Sequence, residues 1–297
     1  MNKEDKEDKE NIKIVKYAVW ILDNKNEARL AVLGLNVGLS CIKSGVGSYM
    51  NDKGFFEGCT KGAFAGLITY LGEYIAIYNN IPMIGGFGKL VHDLGVSMSD
   101  NVMRGESILS QYQTEFGPVT LTFRDSIIPR PSFTITPMVA MIGNFIKGQE
   151  FDFEKSLYNL TPVFKNNSLD IIEFNGEQGI VEGYTTGNVI SYTPGSIKGY
   201  TSDKALAFDR LVISHEFNHT LFWSKLRFSG DLLHWVPTEK VLGVPKMEEI
   251  MKSWNMGQEL AYCMFASFGL SMSTYYYNPM ELEAYSMQRS INLISNR

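Results

Sequence analysis

The segment Val212-Ile213-Ser214-His215-Glu216-Phe217-Asn218-His219-Thr220-Leu221 carries two histidines four residues apart, with a glutamate directly after the first. On a helix, positions i and i+4 lie one above the other. Both imidazoles can therefore bind one tetrahedral ion while Glu216 projects beside them. A zinc ion lowers the pKa of its bound water to about 7 and polarises a carbonyl, and a neighbouring glutamate can take the proton and pass it to a leaving amine. The expected roles are His215 and His219 as zinc ligands and Glu216 as general base, acting on a peptide or protein substrate. The competing reading is a helix with two hydrogen-bonded histidines and a surface glutamate.

The uncharged positions around the histidines, the amphipathic helix, and the match at Val212 and Leu221 mean that this stretch resembles the zinc-binding helix of zincin metallopeptidases. The metzincin pattern is excluded, because Phe222 and Lys225 fill the places of its glycine and last histidine. Further on, Asn278-Pro279-Met280-Glu281-Leu282-Glu283-Ala284-Tyr285 opens another helix and resembles the E-x-x-A-D signature of CAAX prenyl protease and HtpX-like peptidases, which are gluzincin-like. The resemblance covers residues 211–221 and 278–288. It implies a zinc-dependent endopeptidase with Glu281 as third ligand and Ala284 as a small packing residue. Tyr285 replaces the aspartate that orients a zinc histidine in that pattern.

On the residues alone, Asn278, Pro279 and Glu281 equally make a helix N-cap, N1 and capping-box partner. Glu283 and then Glu259 are the alternative third ligands, whereas Glu248 and Glu249 read as a solvated face. His234 is a candidate hydrogen-bond donor to an oxyanion, with simple packing as its competing role, and His92 reads as a packed residue. Tyr275, Tyr276 and Tyr277 precede the ligand helix and either reach a tetrahedral intermediate or fill a core. Val189, Ile190, Ser191 and Tyr192 read as a strand on whose edge an extended substrate could lie.

The elements that position these residues fall into three regions. After a charged tail over 1–11, residues 12–112 read as helical. Gly54, Gly58, Gly62 and Gly66 recur every four residues, stripping one stripe of side chains so that another backbone can approach, and Gly34 and Gly38 repeat the spacing one helix earlier. Asn80-Ile81-Pro82 and Gly85-Gly86 break the pattern before Lys89 to Met103 resumes it. Residues 113–200 carry a small antiparallel sheet: Val119, Leu121 and Phe123 alternate with threonines, and Leu169 to Phe174 returns through Asn175-Gly176 as Ile180 to Tyr184. Short helices are expected over Pro137 to Ile146 and Phe153 to Leu160. The zinc helix spans 203–228 and the ligand helix 278–294, with another helix over Lys246 to Ser267. The fold class is α+β, with the metallopeptidase domain at 113–297.

Composition narrows the partners. The chain has 297 residues, a net charge of −5 and no basic, aromatic-interleaved stretch, which argues against nucleic acid. Cys41, Cys59 and Cys263 read as isolated, mostly buried thiols. MNKEDKEDKE lacks the apolar core of a secretory signal, so a cytoplasmic location, or export without such a signal, is expected. The longest uncharged run, Leu260 to Met280, is crowded with serines in its second half, and no membrane span is expected. Two alternatives to the enzyme remain: a zincin-like scaffold that binds without turnover, and a toxin or effector whose glycine-spaced helices meet a membrane.

Overall fold

Glycine placement decides how the N-terminal helices meet. The computed structural model describes residues 25–76, 83–168, 170–174, 177–227, 253–260, 263 and 284. Helices α1 (Lys25–Met50), α2 (Phe55–Ala76) and α3 (Ile84–Met103) run antiparallel to their neighbours in sequence. A Cβ on Gly62 would lie 2.2 Å from the Ser40 carbonyl, and one on Gly66 2.4 Å from that of Asn36. Only glycine allows that approach. Gly58 repeats it against Ser44 and Ser48, and Gly72 and Gly95 do the same between α2 and α3.

Gly34 and Gly38 do not take part, since nothing lies within 4 Å of a Cβ at either. The α1 stripe that meets α2 is Asn36, Ser40, Ser44 and Ser48, two residues out of phase and so on the opposite side of the helix. The same close contact sets Cys41 against Cys59 in a disulfide, while Cys263 is exposed, so the reading of three isolated buried thiols is corrected.

The polarity of this layer is inverted. Buried positions include Asn36, Ser44, Ser48, Glu73, Lys89, His92, Asp93 and Asp100, whereas Leu35, Leu39, Ile42, Val46, Phe64, Leu67 and Leu71 are exposed. Buried charges require partners, and they have them: Lys43 pairs with Asp100 at 2.6 Å, Lys89 with Asp93 at 2.9 Å and Arg227 with Glu115 at 3.8 Å. The stretch Arg29–Met50 is long and apolar enough by length and composition to cross a membrane, a test that the core helix of a soluble protein also passes.

Strands β1 (Tyr112–Phe116), β2 (Val119–Phe123) and β3 (Arg130–Phe133) form an antiparallel meander. The buried member of β2 is Thr120, which accepts from Asn255 Nδ2 at 3.0 Å, so the apolar residues of the alternating pattern end up only half-buried. Helices α4 (Ile135–Ile146) and α5 (Phe153–Asn159) occur where the sequence placed them. Asp152 caps α5 by accepting from Lys155 N.

A second sheet has the order β4 (Glu150–Phe151), β5 (Val163–Lys165), β9 (Val189–Tyr192), β8 (Gly183–Thr186), with β5 and β9 parallel and the other pairs antiparallel. The hairpin β6 (Asp170–Phe174) and β7 (Glu177–Val181) stands apart from it. Against this sheet packs α6 (Ser202–Lys225), whose Val212, Ile213, Phe217 and Leu221 form a core with Val163, Ile190 and Tyr192. Burying each such aliphatic or aromatic side chain stabilises by about 1.5–3 kcal/mol, which fixes the rotation of α6.

Candidate active site

Helix α6 follows Thr201, has Asp203 in its first turn and Lys225 in its last, charges that match the helix dipole at each end. With Ile213, Phe217 and Leu221 committed to the core, His215 and His219 occupy another face one turn apart. Their Nε2 atoms converge to 3.2 Å and their rings stand at 88° to one another. Two nitrogens of a tetrahedral zinc site with bonds of about 2.05 Å would be about 3.3 Å apart, so the pair fits two of the four places. A proton shared between the rings would give a similar spacing.

All three motif residues are withdrawn from solvent: His215 and His219 are 7% exposed and Glu216 is 6% exposed. The surface glutamate of the competing reading is therefore absent. Thr185 of β8 donates to Glu216 Oε2 at 2.8 Å, and its Oγ1 also lies 2.9 Å from the Glu216 carbonyl oxygen. Two residues earlier on the same strand face, a Cβ on Gly183 would stand 2.6 Å from Val212 Cγ1 and 3.1 Å from Glu216 Oε1. Strand β8 therefore lies directly over the carboxylate.

Of the other candidates, Glu281, Glu283, His234, Glu248, Glu249 and Tyr275 to Tyr277 lie outside the described residues, as does most of the helix expected over Lys246 to Ser267. Ala284 is described and is fully buried. Glu259 serves a different purpose: its carboxylate accepts from Thr136 N at 2.7 Å and from Thr136 Oγ1, closing the N-terminus of α4. Among the described residues no group of three or more His, Cys, Asp or Glu side chains is placed to hold a metal.

Val189 to Tyr192 form β9, which is fully buried and bonded on both sides, to β5 and to β8. It is not an edge, because the chain adds one further strand beyond it. The edge is β8, reached through a tight turn at Gly187, whose φ is +63°. His92 is packed, with Nε2 3.4 Å from Glu73 Oε1 and Nδ1 3.4 Å from Asp93 Oδ1.

Sequence reasoning missed Gly183 and Thr185. A lone glycine in a strand pattern is the usual trace of a close backbone approach, but nothing local connects Gly183 or Thr185 to a helix some thirty residues on. No protein-family model matches this chain, and no curated protein and no solved structure matches it either.

Proposed function

We propose that this protein is a zinc-dependent metallopeptidase, a reading carried by the convergence of His215 Nε2 and His219 Nε2 to 3.2 Å with Glu216 in the adjacent position. The two imidazoles hold the metal and Glu281 supplies the third ligand, with Glu283 as the alternative. Zinc bound there would polarise a peptide carbonyl and acidify water. Glu216 takes the proton from that water and returns it to the leaving amine. Burial of the three side chains strengthens each of these electrostatic interactions by excluding solvent.

The reading extends the resemblance of residues 211–221 and 278–288 to zincins. It is tested by zinc content and peptide cleavage for wild type, His215→Ala, Glu216→Gln, Glu281→Ala and Glu283→Ala. Stoichiometric zinc in wild type, lost in His215→Ala and Glu281→Ala and kept without turnover in Glu216→Gln, is the expected pattern. A metal-free wild type sinks the proposal. A wild type that holds zinc but cleaves nothing leaves the binding scaffold instead.

A second reading concerns location. The exposed face of α1 is uncharged from Leu30 to Met50 and the buried face of the α1–α2 pair is polar, the arrangement helices adopt when lipid surrounds them. This favours contact of α1 with a bilayer, as for an effector that meets membranes. Flotation of the full chain with phosphatidylcholine–phosphatidylglycerol vesicles is the check, and a chain left at the bottom of the gradient removes this reading.

A further inference from the structure

We infer that Thr185 is a positioning residue for the general base, fixing the carboxylate of Glu216 through its hydroxyl. This rests on the peptidase reading above.

A glutamate side chain has three rotatable bonds, and proton transfer requires one of its oxygens to be held within hydrogen-bond reach of the water it deprotonates. Thr185 is placed to hold it. Its Oγ1 lies 2.8 Å from Glu216 Oε2 and 2.9 Å from the Glu216 backbone oxygen, and a hydroxyl has only one proton to give. The charged acceptor takes it, because a bond to a carboxylate is about twice as strong as one to a neutral carbonyl. A helical carbonyl, moreover, already accepts from the N–H four residues on.

Thr185 is itself held rigidly, since it pairs with Ile190 in the β8–β9 ladder, and Ile190 is fully buried in the core beneath α6. Gly183 makes the bond geometrically possible. A side chain there would collide with Val212 and with Glu216 Cγ, lifting β8 from the helix. The strand thus presents a gap and then a donor, at alternate positions of one face, to the same carboxylate. Holding Oε2 sets the carboxylate plane, and with it the direction of Oε1.

The full-length protein, purified with zinc, is to be assayed as wild type, Thr185→Val and Thr185→Ser for kcat, KM, zinc content and denaturation midpoint. Thr185→Val is expected to lower kcat about tenfold or more, the effect usual for a partner that orients a reacting group, with KM and zinc content unchanged. Thr185→Ser, which keeps the hydroxyl, restores it. A second, activity-independent readout is a double-mutant cycle of Thr185→Val with Glu216→Gln on the metal-free protein, where non-additive midpoints are expected.

Equal kcat for Thr185→Val and wild type, a Thr185→Ser variant as impaired as Thr185→Val, or additive midpoints each overturn the inference. A wild type that hydrolyses no peptide while the cycle is coupled overturns the peptidase reading and the positioning role with it, but leaves the contact standing.

Discussion

Lys225, in the last turn of the histidine-bearing helix, forms an ion pair with the carboxylate of Glu73 in α2. Glu73 is fully buried and also accepts from Asn36 Nδ2 at 2.8 Å. One carboxylate therefore joins α1, α2 and the C-terminal end of α6. The N-terminal helices and the candidate site are parts of one packed structure.

Removing that carboxylate deletes the buried acceptor shared by the Lys225 ammonium and Asn36 Nδ2. Glu73→Gln is expected to lower unfolding free energy by about 3 kcal/mol, read from denaturant titration. Glu57→Gln, which breaks only the exposed pair with Lys61, leaves the midpoint unchanged.

Acid sensitivity follows from Asp93. Burial by itself raises its carboxyl, but the Lys89 ammonium, the hydrogen bond with His92 and the Arg227 guanidinium outweigh burial and hold it below the usual carboxylate range. A carboxylate with a depressed folded pKa contributes stability above its unfolded value of about 3.9, and loses it as pH falls through the folded value. Asp93→Asn should therefore be less stable than wild type at neutral pH, and the difference should narrow below about pH 4. A constant difference from pH 7 to pH 2 would contradict this origin.

Two glycines of the same helical layer are expected to respond in opposite directions. Gly62→Ala places a methyl 2.2 Å from the Ser40 carbonyl and must push α1 and α2 apart, costing about 1–3 kcal/mol. Gly38→Ala meets nothing within 4 Å and removes a flexible residue from a helix interior, a gain of about 0.5–1 kcal/mol. Thermal unfolding of the two variants distinguishes them by the sign of the shift.

Glu259 separates cap from ligand. Glu259→Ala deprives Thr136 N of its acceptor at the start of α4 and should cost about 1–2 kcal/mol. Its zinc content should equal that of wild type. Loss of metal in this variant would return Glu259 to the ligand set.

What the sequence by itself determined is what repeats within a few residues. The helical spacing of Phe208 to Leu226, the short helices α4 and α5, the antiparallel pairing of β6 with a following strand and the glycine stripe of α2 all follow from a period of 3.6 or 2, and the structure has each of them, although the return strand is Glu177–Val181 rather than Ile180 to Tyr184 and Tyr184 belongs to β8. The pairing of His215 with His219 belongs to the same class, because one helical turn alone brings them together.

Tertiary structure decided everything that depends on which faces meet. Gly34 and Gly38 share the spacing of Gly62 and Gly66, yet α1 presents its Asn36 and serine stripe to α2, since that stripe can hydrogen-bond across the contact, as Asn36 does to Glu73. Cys41 and Cys59 become partners only because an antiparallel hairpin sets them opposite one another. Strand β9 lost its edge when β8 added to the sheet, and the same addition laid Thr185 over Glu216, two residues 31 positions apart. Local pattern fixes what an element is. Which side chains it meets depends on long-range packing, which no window of sequence contains.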